Sequence, residues 1–223
     1  AGDSPLVISL VSALAILFIS LYLSHGFNIR THVALIGTLI TLFIAALLAY
    51  ISVEFAQLFG LGSEESVTLL QGKLRGIDFQ GLLLAGAIIG ALGVLDDVTT
   101  AQSATVEEIH KANPKLDAGE LYKRGSSVGR EHIASLVNTL ALAYVGAGLP
   151  LLLIFTQTDF PLWINFNSEF IVEEIIRTLV GSTALILAVP ITTYIAAHYF
   201  EKQPVSKEEE KQAKSGGGHS HRH

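Results

Sequence analysis

The chain has 223 residues, half of them hydrophobic and only 15% charged, with a net charge of −6 and a mean hydropathy of +0.52. Soluble domains carry about a quarter charged residues, so an ordinary soluble enzyme, a secreted disulfide scaffold and a disordered regulator are excluded. The absence of cysteine removes disulfides and thiolate chemistry, and no nucleic-acid partner is expected.

The hydrophobicity sits in five long runs, continuous rather than alternating, which predicts transmembrane helices and not barrel strands. The first is Pro5 to Ser24, without charge and without the basic lead of a signal peptide. The second runs from Thr31 to about Phe59, longer than a bilayer requires. Gly60 to Phe79 mixes apolar and charged positions, among them Leu69, Leu70 and Leu74, and suits a short interfacial helix. The third span begins at about Gln80 and reaches at least Val98. It is expected to continue as a helix to about residue 112, because the first strong breaker is Asn113-Pro114. The fourth runs from Glu131 to Phe155, with Gly146, Gly148 and Pro150 expected to kink or break its far half. The fifth runs from about Phe170 to Phe200 and contains Pro190. Residues 201–223 read as a flexible charged tail, and its terminal His219, His221 and His223 are set aside as a flexible end. The expected fold is thus all-α, a polytopic membrane domain over 1–200.

Lysine and arginine give the orientation. Arg30, Lys111, Lys115, Lys123, Arg124, Arg130, Lys202, Lys207, Lys211, Lys214 and Arg222 fall on one side, eleven in all, against Lys73 and Arg75 on the other. The positive-inside rule then places the N-terminus outside and the C-terminus in the cytoplasm. The chain also contains no methionine. Either an initiator was removed before Ala1, or this is one piece of a longer product.

The third span carries most of the chemistry. Gly86, Gly90 and Gly93 form a small-residue face suited to close helix packing. Asp96 follows at roughly 24 Å into a hydrocarbon core of about 30 Å. Intramembrane carboxylates are costly unless protonated or paired, which makes Asp96 and Asp97 candidate ion- or proton-coupling residues. Asp96, Thr100, Ser103 and Glu107 fall on one helical face. The bland alternative for Glu107, Glu108 and His110 is a helix end emerging into water. Adjacent carboxylates point about 100° apart, so Asp96 and Asp97 cannot share a proton as a facing dyad would. If any metal binds, these two are its candidate ligands; a proton, a monovalent cation or Mg²⁺ are the species considered.

The fourth span offers partners. Arg130 is a natural ion-pair partner for Asp96, Asp97 or Glu107, and Asn138 lies about 12 Å further along, equally suited to helix–helix hydrogen bonding. Lys123, Arg124 and Arg130 around Ser126 and Ser127, with Gly125 and Gly129 before the helix, would favour an anion or anionic lipid headgroup at a helix N-terminus. In the fifth span Glu173 and Arg177 are spaced to pair.

The stretch AGAIIGALGVLDDVTTAQSATVEEIHKANP, followed by KRGSSVGREHIASLVNTLALAYVGAGLP, resembles the YibE/F-like family of bacterial multi-pass membrane proteins. The resemblance rests on the small-residue run before Asp97, Ser103, Glu107 and Glu108, the SSVGRE approach and the NTLALAYVG helix. It is clear over 80–155 and extends over 30–200. Family members are usually longer, so the chain looks like the C-terminal membrane half. The resemblance implies a bacterial inner membrane and carries across no catalytic residue. Three functions compete. One is a transporter or permease-like component using Asp96, Asp97, Ser103, Glu107, Arg130 and Asn138. Another is a non-catalytic assembly subunit, joined to a second copy or to a missing N-terminal family half. The last is a metal-dependent enzyme on a lipid phosphate, disfavoured because DDVTT reproduces no known transferase motif and no catalytic constellation is present.

Overall fold

The computed structural model of the protein describes residues 5–72, 76–156 and 161–204; the readings of Lys73, Leu74, Arg75 and the tail beyond 204, terminal histidines included, fall outside them. The described residues contain seven α-helices and no strand: α1 (Pro5–His25), α2 (Ile29–Phe55), α3 (Glu64–Gln71), α4 (Phe79–Ala112), α5 (Ala118–Thr156), α6 (Leu162–Phe166) and α7 (Glu169–Phe200). Five of them, α1, α2, α4, α5 and α7, are long and apolar enough to cross a membrane. The α1–α2 corner, the α4–α5 turn and the end of α7 share one side, here the basic side. α3 and α6 lie at the other.

Local chemistry sets the ends. Gly26 takes a left-handed φ of +74° and its N–H donates to the Tyr22 carbonyl at 3.0 Å, which stops α1. Asn28 then caps α2, its Oδ1 accepting from Thr31 N at 2.9 Å, so the helix starts two residues before the expected Thr31. α2 ends at Phe55 rather than Phe59, because Gln57 turns the chain at φ +52° and Leu58 folds back into the core. Asp78 caps α4 by accepting from Gly81 N at 2.9 Å, and α4 runs unbroken for 34 residues, about 51 Å, to Asn113.

α5 departs furthest from expectation. Asp117 accepts from Glu120 N at 2.8 Å and its carbonyl from Leu121 N at 2.9 Å, starting the helix at Ala118 rather than Glu131. Its 39 residues continue through Gly146, Gly148 and Pro150 without the expected break. A proline removes one rung of the helical ladder, which a membrane helix tolerates when its neighbouring residues stay helical.

α2, α4 and α7 form a mutually packed centre, with α1 against α4 and α2, and α5 against α7 and α4. Leu17, Leu42, Leu95, Val98, Leu185 and Val189 lie in the main core. A smaller cluster of Val33, Val106, Leu121, Ala196 and Phe200 closes the basic side. Lipid is as apolar as these side chains, so close packing rather than water exclusion holds membrane helices together. Glycines permit it. A Cβ on Gly37 would collide with Thr192, one on Gly125 would stand 2.8 Å from Val106 and 2.9 Å from Thr193, and one on Gly129 would reach Val189 and Gln102.

Candidate functional site

The stripe Asp96–Thr100–Ser103–Glu107 turns toward the α1–α2 corner. Asp96 is half-buried beside Ser20 and His25 of α1, and its Oδ1 is buried without a hydrogen-bond partner. Ser103 is fully buried, its hydroxyl donating to the Arg30 carbonyl at 2.9 Å. Glu107 meets Lys111 Nζ at 3.1 Å and Arg30 at 3.7 Å. The basic partner of this face is therefore Arg30, brought in by the α1–α2 corner, and not Arg130. Arg130 is exposed and forms no ion pair among the described residues.

Asp97 points elsewhere. It is exposed and lines a cleft of about 520 Å³ between α4 and α5, with Gly93 on its own helix and His132 and Thr139 across. Asn138, one residue from Thr139, lies exposed and does not line that cleft. The two adjacent aspartates thus serve two different sides of α4, one toward α1 and the other toward α5. A carboxylate and an imidazole that line one open cleft can hold a proton or a small cation, while the Thr139 hydroxyl donates to the Ser135 carbonyl at 3.0 Å.

Between these two sides runs a buried polar belt. The hydroxyls of Thr38 and Thr99 share a hydrogen bond of 2.6 Å, joining α2 to α4. Gln102 Nε2 donates to the Gly125 carbonyl at 2.9 Å and to Thr193 Oγ1 at 2.7 Å, joining α4, α5 and α7. The Thr193 hydroxyl in turn donates to the Val189 carbonyl at 2.6 Å. The sequence places Gln102 beside the acidic stripe and Thr193 near Pro190, but it does not show that the two bond each other, because an isolated Gln or Thr carries no motif. The signal for the α5 contact was present: Gly125 and Gly129 are four apart, the spacing of close helix approach. Placing them before a helix start concealed it.

That misplacement also alters the anion reading. Ser126 and Ser127 lie inside α5, where backbone N–H groups are used by the helix, so no helix N-terminus faces an anion there. The Ser126 hydroxyl is buried without a partner, and Ser127 is exposed. Lys123 and Arg124 are exposed and pair along the helix with Glu120, at 4.0 and 3.5 Å.

The glycine face of α4 also differs from expectation. Gly86, Gly90 and Gly93 are exposed, and a Cβ on any of them would meet no atom within 4 Å. Among the described residues nothing packs on this face, and it continues straight to Asp97, eleven residues or about 16 Å beyond Gly86. On α7, Arg177 pairs with Glu174 at 2.7 Å rather than with Glu173. Glu173 is buried instead against the loop before α3, accepting from Gly62 N at 2.9 Å.

Comparison with curated proteins and with solved structures found no match to either. The family model described as YibE/F-like protein matches residues 1–202, which takes in every described helix and both aspartates. The chain belongs to the YibE/F-like family.

Proposed function

We propose that the protein is a transporter or permease-like component of a bacterial inner membrane, in which Asp97 is the coupling carboxylate. The observation that carries this reading is its exposure in the α4–α5 cleft opposite His132 and Thr139. The open glycine face from Gly86 to Gly93 supports a path along α4 that leads to it. Asp96 is assigned to a second acidic position on the α1 side, and Ser103 and Glu107 to holding the α1–α2 corner through Arg30. A proton or monovalent cation suits this arrangement better than Mg²⁺, because the two carboxylates diverge and would not chelate one ion. The same divergence, with the serines inside α5, weighs against a lipid-phosphate enzyme. Lys123, Arg124 and Arg130 remain suited to anionic headgroups as simple exposed charges. The N-out, C-in orientation is part of this proposal.

Proteoliposomes with an entrapped pH dye and an imposed potential test it, with a sodium indicator as the parallel probe. Asp97→Asn should lower ion entry by about tenfold or more, while Glu108→Gln should not change it. Ion entry that is unchanged by Asp97→Asn, or absent from the native protein with both probes, overturns the reading. An assembly subunit is the second reading, favoured by the lack of any buried residue in α5 after Ile133 among those whose side chains are described. A stoichiometric partner chain in the purified sample would support it.

A further inference from the structure

The segment before α3 is fastened in an unusual way. Three successive backbone amides converge on one carboxylate oxygen: Phe59, Gly60 and Leu61 N–H donate to Glu169 Oε1 at 2.6, 2.8 and 3.2 Å. The next amide, Gly62, donates to Glu173 Oε1 at 2.9 Å. Glu169 and Glu173 are one turn apart on α7, so both carboxylates face the same loop. The loop is shaped to receive them. Gly60 sits at φ +78° where a Cβ would strike the Phe79 backbone, and a Cβ on Gly62 would stand 2.6 Å from the Glu173 carboxyl carbon.

By contrast, among the described residues α3 itself packs extensively on no other helix. Ser66 is its one buried residue among those whose side chains are described, while Val67 and Leu70 are exposed. Beneath it lies a crevice of about 160 Å³, reaching Leu83 and Gly86 of α4 and Glu173 and Arg177 of α7. Gly86 is the first residue of the open glycine face that continues to Asp97. A helix with little packing, tied down by carboxylate–amide bonds, can lift without disturbing the apolar core beneath.

We propose that the segment from Phe59 to Gln71 is a latched cover over the α3-side end of the α4 groove, held down by Glu169 and Glu173. Opening requires that the four amides leave two carboxylates for water; the hinge is the turn at Gln57 and Leu58, with Leu58 remaining anchored in the core. The significance of the groove rests on the transport reading above, whereas the latch is a property of the loop and α7.

Because the chain has no cysteine, a single introduced thiol reports opening without background. Ser66→Cys, in detergent-purified full-length protein, should react slowly with a bulky maleimide. Adding Glu169→Ala, which frees three amides, should accelerate labelling about tenfold, and Glu169→Gln, which keeps an acceptor oxygen without the charge, should fall between. Ala188→Cys in the α7 core serves as the unfolding control. Equal Ser66→Cys rates in all three backgrounds overturn the latch, as does native labelling as fast as at an exposed Val67→Cys. A parallel rise at Ala188→Cys also overturns it, because the bundle would then be opening as a whole. Labelling reads the latch and ion flux reads the groove, so the failure of one is distinguishable from the failure of the other.

Discussion

The two halves of α5 are built on opposite plans. From Ala118 to Ile133 the helix is seated on α4 and α7, with Leu121, Gly125, Gly129 and Ile133 buried at successive intervals of four. Gln102 reaches across to bond its backbone. After Ile133 none of its residues with a described side chain is buried; Leu136 and Val137 still pack partly on the core, and the cleft that contains Asp97 opens between the helix and α4. One helix therefore acts as a closely seated joint at the basic side and as a loosely packed wall further along. The lesson is that residue type alone does not say which helices touch. Gly125 and Gly129 meet neighbours at contact distance, whereas Gly86, Gly90 and Gly93, equally small and similarly spaced, meet none.

The strongest way to break this contrast is to fill the joint. Gly129→Val should destabilise the protein by roughly 2–4 kcal/mol, through the collision with Val189 and Gln102. Gly90→Val should change stability by less than about 1 kcal/mol, since nothing lies within 4 Å there. Thermal melts of the two variants in the same detergent compare them directly, and equal losses would mean that the glycine face is covered after all. A smaller effect is expected from Gln102→Leu. It leaves the Gly125 carbonyl without its side-chain donor and should cost about 1–2 kcal/mol, with hydrogen exchange rising first in the 118–133 half of α5. The smallest belongs to the exposed rim. Glu107→Gln removes the pairs with Arg30 and Lys111, whose side chains remain partly exposed, and should shift stability by only about 0–1 kcal/mol. A larger loss would show that the α1–α2 corner depends on this pair rather than on the Ser103 bond to the Arg30 carbonyl.

Much of the fold was legible because bilayer thickness and backbone satisfaction leave few options. An apolar run of about 20 residues must be helical to cross hydrocarbon, and five such runs became five long helices. The stop at Asn113-Pro114 and the face shared by Asp96, Ser103 and Glu107 follow from local backbone sterics and helical periodicity. The start of α5 was misplaced by thirteen residues for a physical reason. Its first three turns are polar, so hydropathy does not register them, and their helicity depends on the Asp117 cap and on packing against Val106, Gln102 and Thr193. The candidate site was legible in part: Asp96 and Asp97 stand out as acids at membrane depth, but His132 and Thr139 do not.

The sequence by itself determined the number and approximate limits of the apolar helices, the concentration of basic residues on one side, and the family to which the chain belongs. Those properties come from composition, helical period and local caps, each written within a short window. Only the tertiary structure decided that Arg30 rather than Arg130 meets Glu107, that Asp96 is turned to α1 and Asp97 to the α5 cleft, and which glycines touch another helix. It also decided that Glu169 and Glu173 hold down the loop before α3 across more than a hundred residues of chain. These are long-range pairings, and in a membrane they are selected by which helix faces fit closely enough to touch. No single helix carries that information in its own sequence.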